Sequence, residues 1–277
     1  EAINAMRESF GLTNDPILFQ YTSYLKGILQ GDLGTSIAYF PKPVSEIIGT
    51  GLFWTIFLAG SSLVFAFLIG TTLGIIIAWN RTGKLDTILP PALAFFGAFP
   101  YFWLAMVFLY IFGFSMNWFP IGRAFGNEVN PGLNLTFLLS ALYHAFLPAL
   151  TLIFVSLGGW MLSMRNTMIS TLGSDYITFA NAKGIPSRLI MLRYAARNAI
   201  IPNLTGFGMA LGFMLSGALL TEMIFSYPGQ GFLLLQAVTS QDYPLMQGIF
   251  MTITLAVLGA NWLVDIAILF LDPRTRK

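Results

Sequence analysis

Apolar residues along the chain are concentrated in long runs separated by short polar links. Five runs contain about 20 or more mostly apolar residues, the length that crosses a hydrocarbon core of about 30 Å at a rise of about 1.5 Å per residue. These runs are Phe53–Trp79, Ile88–Phe119, Leu135–Met164, Ala199–Thr221 and Leu245–Leu271. The pattern predicts an all-α protein, a polytopic membrane helix bundle with five spans. Prolines inside the runs are compatible with this interpretation, because neighbouring helices can satisfy the carbonyl groups that proline leaves free.

Basic residues are distributed unevenly between the links, and this asymmetry predicts the orientation. Ten of the 14 Lys and Arg residues lie in the links 80–87 and 165–198 and in the tail after Leu271. Cytoplasmic loops of membrane proteins carry an excess of Lys and Arg. We therefore expect a multi-pass protein of the cell (inner or plasma) membrane, with a cytoplasmic C-terminus and with residues 1–46 outside.

Residues 1–46 are expected to form an external N-terminal segment, and residues 47–277 the transmembrane domain. Five spans with an external N-terminus favour either a further helix before Glu1 or a cleaved signal. We favour the further helix, because residues 1–46 are too few for an independent domain. Within this segment, apolar residues at helical spacing predict a helix over Pro16–Leu29, and Gly31–Gly34 has the composition of a turn.

Composition excludes several other classes of protein. Of the 277 residues, 56% are hydrophobic and 9% are charged, whereas soluble domains average about 25% charged residues. A soluble enzyme, a disordered chain and a nucleic-acid-binding protein of the basic-patch kind are therefore excluded. Cys is absent and His144 is the single His, which excludes thiolate metal sites and sites with two imidazole ligands. Gly83-Lys84 is followed by Leu85 instead of Ser or Thr, so the chain lacks a phosphate-binding loop.

A few polar residues fall within the apolar runs. His144 and Asn203 could serve a substrate path and Asp265 could carry protons, since an ionisable group in a span is a functional hypothesis by default. For each of them a packing or hydrogen-bonding role is the favoured interpretation. An ion-coupled secondary transporter is the alternative function, but it would need several carboxylates at mid-membrane, and Asp265 alone qualifies.

The link 165–198 contains two predicted short helices. Tyr176–Lys183 is expected to form the first, with Gly184 ending it, and Pro186 is well placed to open the second. Ile185, Leu189, Ile190 and Leu192 give the second helix an apolar side. Such a helix could lie on lipid headgroups or insert into a groove on a cytoplasmic partner, and the residues alone leave both alternatives open.

Several motifs resemble those of a known family. The run Tyr176–Gly184, followed by Arg197-Asn198-Ala199 and Pro202, resembles the EAA loop of ABC importer permeases of the dipeptide, oligopeptide and nickel type. Further matching motifs are Gly31–Ser36, Phe99-Pro100, Phe102-Trp103-Leu104, Phe225–Gly231, Asp242–Leu245 and Leu271–Arg274. Two departures exist: Thr178-Phe179-Ala180 stands where the archetypal loop has Glu-Ala-Ala, and Ala196-Arg197 replaces a common Leu-Pro.

The resemblance implies a fold, a function and a set of partners. The fold would be that of a type I ABC importer permease, which lacks catalytic residues. A second homologous permease would pair with it, two ABC ATPase subunits carrying ATP and Mg would bind beneath, and an external binding protein would deliver substrate. Surrounding lipid is a further partner, and nucleic acid is not. The substrate would be short peptides or oligosaccharides, and the sequence supports these two alternatives about equally.

The resemblance also assigns residues. A coupling helix around residues 184–193 would occupy the ATPase groove. The coupling residues are Ala180, Ala182, Lys183, Gly184, Ile185, Pro186, Ser187, Arg188, Leu189, Leu192 and Arg193. The candidates for the substrate path are His144, Asn203 and, in the outer link, Glu222.

Overall fold

The computed structural model describes residues 16–271 and, within that range, the side chains of all residues except 212, 215–217, 264, 265 and 267–271. The side chain of Asp265 and the basic tail after Leu271 therefore lie outside the described residues. Regular structure in the described range consists of helices, together with one isolated antiparallel bridge between Thr35 and Pro43. The all-α prediction is confirmed.

The helices follow one another with short connections. In chain order they are α1 (Ile17–Leu29), α2 (Val44–Trp79), α3 (Lys84–Gly97), α4 (Tyr101–Ser115), α5 (Leu135–Leu172), α6 (Asp175–Ala182), α7 (residues 187–217), α8 (Leu219–Ile224), α9 (Gln230–Thr239) and α10 (Tyr243–Leu271). Helices α2, α4 and α7 contain π-helical segments, at Ile56–Gly60, Leu109–Ser115 and Ile190–Ala196. Helix α1 confirms the helix predicted in the N-terminal segment.

By length and composition alone, fewer helices of the described residues qualify as spans than the five predicted. Within the described residues, α2, α5 and the first 21 residues of α10 are long and apolar enough to cross a membrane. A fourth span is present if α3 and α4 together form one broken span. Helix α7 covers most of the fourth predicted run without meeting the same test. The membrane bundle is thus confirmed, and the count of five stays a prediction.

The second predicted run is a bent pair of helices. The axes of α3 and α4 meet at 96°. Pro100 lies at the break, directly before α4, with an extended ψ of 132°. Proline has no N–H to donate within a helix, and it disfavours helical geometry at the residue before it, Phe99. These two effects explain why one helix ends and another begins here.

Close packing of α2 against α5 depends on two glycines. A Cβ atom at Gly70 would lie 2.7 Å from the Cβ of Trp160, and one at Gly74 would lie 2.7 Å from the carbonyl oxygen of Met161. Both distances are shorter than real contacts allow. Small residues let helices approach closely in lipid, and this pair serves packing within the chain.

The segment before α2 is fastened to the start of α10. Asp242 is fully buried, and its Oδ1 accepts a hydrogen bond of 3.1 Å from the backbone N–H of Leu245 in the first turn of α10. Its Oδ2 accepts from the hydroxyl of Ser36 and, at 3.0 Å, from the N–H of Ala38. We call the end of the bundle where α2 and α10 begin the upper end, and the end that holds residues 173–196 the lower end.

Candidate functional site

The lower end carries the loop on which most of the predicted functional residues lie. Helix α6 ends in a left-handed turn at Gly184, whose φ is 71°. The N–H of Gly184 donates to the carbonyl of Asn181 at 2.9 Å, and the N–H of Ile185 donates to that of Ala180 at 3.3 Å. This pair of bonds is the Schellman motif, in which glycine is favoured because it alone adopts positive φ without strain. The prediction that Gly184 ends the first helix is confirmed.

The second helix of the loop begins where expected but does not end there. Pro186 precedes its first turn, which starts at Ser187. The helical conformation then continues through the π-helical segment Ile190–Ala196 and into Arg197–Gly217 without a non-helical residue between them. The expectation of a short helix separate from the following span is therefore wrong: both belong to α7. At about 1.5 Å per residue, its 31 residues extend over roughly 45 Å.

Burial divides the predicted coupling residues into two groups. Ala180 is 2% exposed and Ile185 is partly buried, and both pack in one cluster with Ile190 and Met168. The side chains of Ala180 and Ile185 hold the loop against its own bundle, and their contact with a partner stays a prediction. The exposed members are Ala182, Lys183, Gly184, Pro186, Ser187, Arg188, Leu189, Leu192 and Arg193.

The exposed part of the loop is apolar and basic. Leu192 is 55% exposed and lies one turn after Leu189, which is 36% exposed. Arg188 and Arg193 flank them, and neither forms an ion pair within residues 16–271. Lys183 Nζ lies 4.5 Å from the centroid of the Phe179 ring, a cation–π contact. An apolar patch with cationic edges is suited to an apolar groove that has an acidic or carbonyl rim.

A cavity lies farther along α7, between the helices of the bundle. Its volume is about 210 Å³ and it is open on one side. Helices α2, α5 and α7 contribute the lining residues Ala59, Ser62, Leu63, Leu152, Ser156, Ala210, Phe213 and Met214, and Ala218 follows α7. Ser62 and Ser156 donate to carbonyls of their own helices, at 2.6 and 2.8 Å. The cavity wall therefore presents no charged group among the described side chains.

The three residues predicted for the substrate path lie away from this cavity's lining. Asn203 is 1% exposed, and its Nδ2 donates to Thr71 Oγ1 and to the Trp160 carbonyl, both at 3.2 Å. This contact links α7 to α2 and α5, in keeping with the anchoring role favoured from sequence. His144 Nδ1 lies 2.7 Å from the Ser140 carbonyl one turn earlier.

Glu222 is fully buried beside the start of α9. Its Oε2 accepts a hydrogen bond of 2.7 Å from the N–H of Gly231. Gly229, the residue that precedes α9, has no side chain with which to cap it. A Cβ at Gly229 would overlap the Glu222 carboxyl group. Glu222 thus supplies the capping oxygen that helix starts require, a role that its position in the sequence did not indicate.

The structure adds one ion pair that the sequence did not reveal. Arg165 Nε on α5 lies 2.6 Å from Asp86 Oδ1 at the start of α3. Asp86 Oδ2 accepts a hydrogen bond of 3.3 Å from the N–H of Thr82. The pair holds the turn between α2 and α3 against α5 at the lower end. Residues 79 apart in sequence carry no local signal of such a contact.

Comparison with known proteins assigns the family. Residues 70–277 match the model of the binding-protein-dependent transport system inner membrane component. The chain belongs to this family. It is 36% identical to the dipeptide transport system permease protein DppB of Alkalihalophilus pseudofirmus, over 100% of this chain and 86% of that protein. It is 32% identical to the oligopeptide transport system permease protein AppB of Bacillus subtilis, over 96% and 83% of the two chains. It is 33% identical to the glutathione transport system permease protein GsiC of Pectobacterium atrosepticum, over 99% of this chain and 84% of that protein.

Family membership settles the general function. The protein is a multi-pass inner-membrane permease subunit of an ABC importer, and it is a transport subunit, not an enzyme. Its partners include an ATPase and a substrate-binding protein. The ATP-driven permease is thereby supported over the ion-coupled transporter that the sequence also allowed.

Proposed function

We propose that this permease imports short peptides, and that it does so with a second homologous permease above two ATPase subunits. The names of its relatives support the substrate: the three compared above are described as dipeptide, oligopeptide and glutathione permeases. These names favour peptides over the oligosaccharides that the sequence left nearly even. Within this proposal the ATPase subunits bind ATP and Mg, and the permease binds no cofactor.

The second permease is supported by the shape of the cavity. Helices α2, α5 and α7 line one side of it, and the cavity is more open than enclosed, so the opposite side has no wall among the described residues. A path that excludes lipid needs a wall on that side as well. A homologous chain facing the first would supply this wall with residues equivalent to Ser62, Ser156 and Phe213.

The observation that carries the proposed mechanism is the continuity of α7. Leu189 and Leu192 lie at its lower end, and Phe213 and Met214 of the cavity wall lie on the same helix. A displacement of the loop by a closing ATPase pair would be transmitted along the helix to the cavity. Because Leu189 is 36% exposed and Leu192 is 55% exposed, their burial in a groove would contribute about 0.5–1 and about 1–1.5 kcal/mol before ordering costs. ATP then drives transport because the ATPase makes different contacts in the two states.

The orientation follows from the same proposal. The lower end faces the cytoplasm, where the ATPase subunits reside, and the upper end, with Glu222 and Asp242, faces the binding protein. The excess of Lys and Arg in residues 165–198 supports this orientation.

The coupling function can be tested with Leu189→Asp, compared with Leu189→Met as the matched control. The aspartate would place an unpaired charge in the ATPase groove, whereas methionine keeps the apolar volume. We expect the aspartate variant to insert normally, to lose copurification of the ATPase and to lose ATP hydrolysis stimulated by the loaded binding protein. Leu189→Met should retain all three properties.

Two results would contradict the proposal. If Leu189→Asp retained ATPase binding and substrate uptake, the loop would dock elsewhere, for example on lipid headgroups. If uptake by the intact complex were insensitive to competing di- and tripeptides but sensitive to oligosaccharides, the peptide assignment would fail.

A further inference from the structure

Helix α1 has an apolar face that the described chain does not cover. None of its residues is buried. At 100° per residue, seven apolar or aromatic positions fall within an arc of about 140°. Those that are exposed are Ile17, Leu18, Tyr21, Tyr24, Leu25 and Leu29. We call them the apolar face of α1. Ile17, Leu18 and Leu29 are 85%, 75% and 88% exposed.

The chemistry of α1 is that of a helix in a lipid interface. Two tyrosines lie among the aliphatic side chains, and Tyr and Trp are enriched where a bilayer meets water. Thr22 lies at the edge of this face, and Ser23 and Lys26 lie on the opposite side together with one exposed aromatic residue, Phe19. The helix contains no acidic residue, so nothing on it repels phosphate headgroups. A protein partner that binds through complementary charges would meet a single charged side chain on this helix, Lys26.

Helix α1 is joined to the upper end of the bundle by a short connection that is held by several contacts. The N–H of Asp32 donates to the Gly27 carbonyl at 2.9 Å, which closes the end of the helix. Leu33 directly follows and packs on the cluster that contains Val44, where α2 begins, and Leu245, in the first turn of α10. The segment after it is held on Asp242, as described above. The helix therefore joins the bundle beside the upper ends of α2 and α10.

We propose that α1 lies on the membrane at the upper end, with its apolar face inserted into the interfacial region of that lipid leaflet. Insertion of this kind buries apolar side chains to a depth of about 5–10 Å and leaves the polar side in water. The apolar surface of the spanning helices would continue onto α1. The helix would then hold the segment 30–43 at a fixed height and set the level at which a binding protein meets the permease.

The test uses nitroxide labels on single cysteines, which the absence of native Cys makes straightforward. Leu18→Cys and Tyr21→Cys label the apolar face, and Ser23→Cys is the matched control on the polar side. The full transporter is reconstituted in vesicles of phosphatidylethanolamine and phosphatidylglycerol. Collision rates are measured with oxygen, which concentrates in lipid, and with a water-soluble nickel chelate. Uptake by each labelled variant shows that the fold is retained.

We expect the ratio of oxygen to nickel collisions to be several-fold higher at Leu18 and Tyr21 than at Ser23. Equal ratios at all three positions, with frequent nickel collisions, would place the helix in water and overturn the proposal. Low collision rates with both reagents at Leu18 and Tyr21 would show that protein covers the face. That result would also overturn the proposal, and would point to a second permease or the binding protein as the occupant.

Discussion

The carboxyl group of Glu222 and the backbone of Gly231 are joined by a hydrogen bond of 2.7 Å that caps α9 from outside the helix. A residue from α8 thereby takes the place of a side chain that Gly229 lacks. The same glycine is needed for space, since any Cβ there would overlap the carboxyl group. The cap fastens α8 to α9, and the N–H of Gln230 donates to Thr55 Oγ1 on α2 at 2.8 Å.

Gly229→Ala tests this arrangement. The added methyl group would displace the Glu222 carboxyl group and remove the cap, and we expect a loss of stability of about 1–3 kcal/mol. Thermal unfolding of the purified protein in detergent would measure it. Gly159→Ala is the matched control, because a Cβ at that glycine meets no atom within 4 Å. Equal melting temperatures for the two variants would show that the overlap is relieved without cost.

The pH dependence of stability gives a second test of the same residue. Burial raises the pKa of Glu222 from 4.5 to about 7, against the opposing effect of hydrogen bonds from Thr55 and Gly231. The unfolded chain loses this proton at lower pH than the folded chain does. Stability should therefore fall as pH rises from about 4.5 to about 7 and change little above that range.

Glu222→Gln should remove this pH dependence of stability, because the amide does not titrate and keeps a carbonyl oxygen for the Gly231 N–H. The rise in pKa corresponds to roughly 3 kcal/mol at most. Unfolding midpoints at several pH values between 4.5 and 8 would be compared for the two proteins. If both proteins showed the same slope across that range, Glu222 would not be the group responsible.

Asp86 and Arg165 offer a test of packing at the lower end. Both side chains are mostly shielded from water, at 11% and 23% exposed. Asp86→Asn and Arg165→Gln should each destabilise the protein. The double variant should lose less unfolding free energy than the sum of the losses in the two single variants. We expect a coupling of about 1–2 kcal/mol from a double-mutant cycle of unfolding free energies. Strict additivity would mean that the ion pair contributes nothing net.

The continuity of α7 can be weakened without changing either of its ends. Arg197 and Asn198 are exposed and lie between the loop and the cavity wall. Changing both to Gly costs about 2 kcal/mol of helix propensity in total relative to changing both to Ala. We expect the Gly pair to keep ATPase binding but to lose much of its substrate uptake per ATP hydrolysed. The Ala pair controls for the lost side chains, including the Asn198 hydrogen bonds to Tyr176 and Tyr194.

Local sequence signals predicted the local features of the loop. Gly184 and Pro186 specify a turn and a helix start through their own backbone preferences, and the structure has both. The apolar runs likewise predicted the membrane helices α2, α5 and α10. Pro100 was visible in the sequence, but whether a proline kinks a membrane helix or breaks it depends on which neighbours satisfy the freed carbonyls.

Features that depend on distant contacts could not be predicted. Ile185 and Leu189 are both apolar residues of the loop, and only the packing of α7 against α2 and α5 decides that Ile185 faces inward. Glu222 was assigned to the substrate path because it lies in an outer link. Its role as a cap depends on how closely α8 approaches α9. The small size of Gly229 is the one feature of the sequence that suggests this close approach.

The central claim is that α7 moves as one body between the loop and the cavity, and distances between spin labels test it most directly. Ser187→Cys and Thr205→Cys place labels at an exposed and a half-buried position on α7, about 27 Å apart along its axis. Ser187→Cys with Thr72→Cys on α2 reports movement of α7 against the bundle. Double electron–electron resonance would be recorded on the full transporter without nucleotide and with ATP trapped by vanadate. We predict that the distance within α7 stays constant and narrow while the distance to α2 changes. A shift or broadening of the distance within α7 on ATP binding would contradict the account.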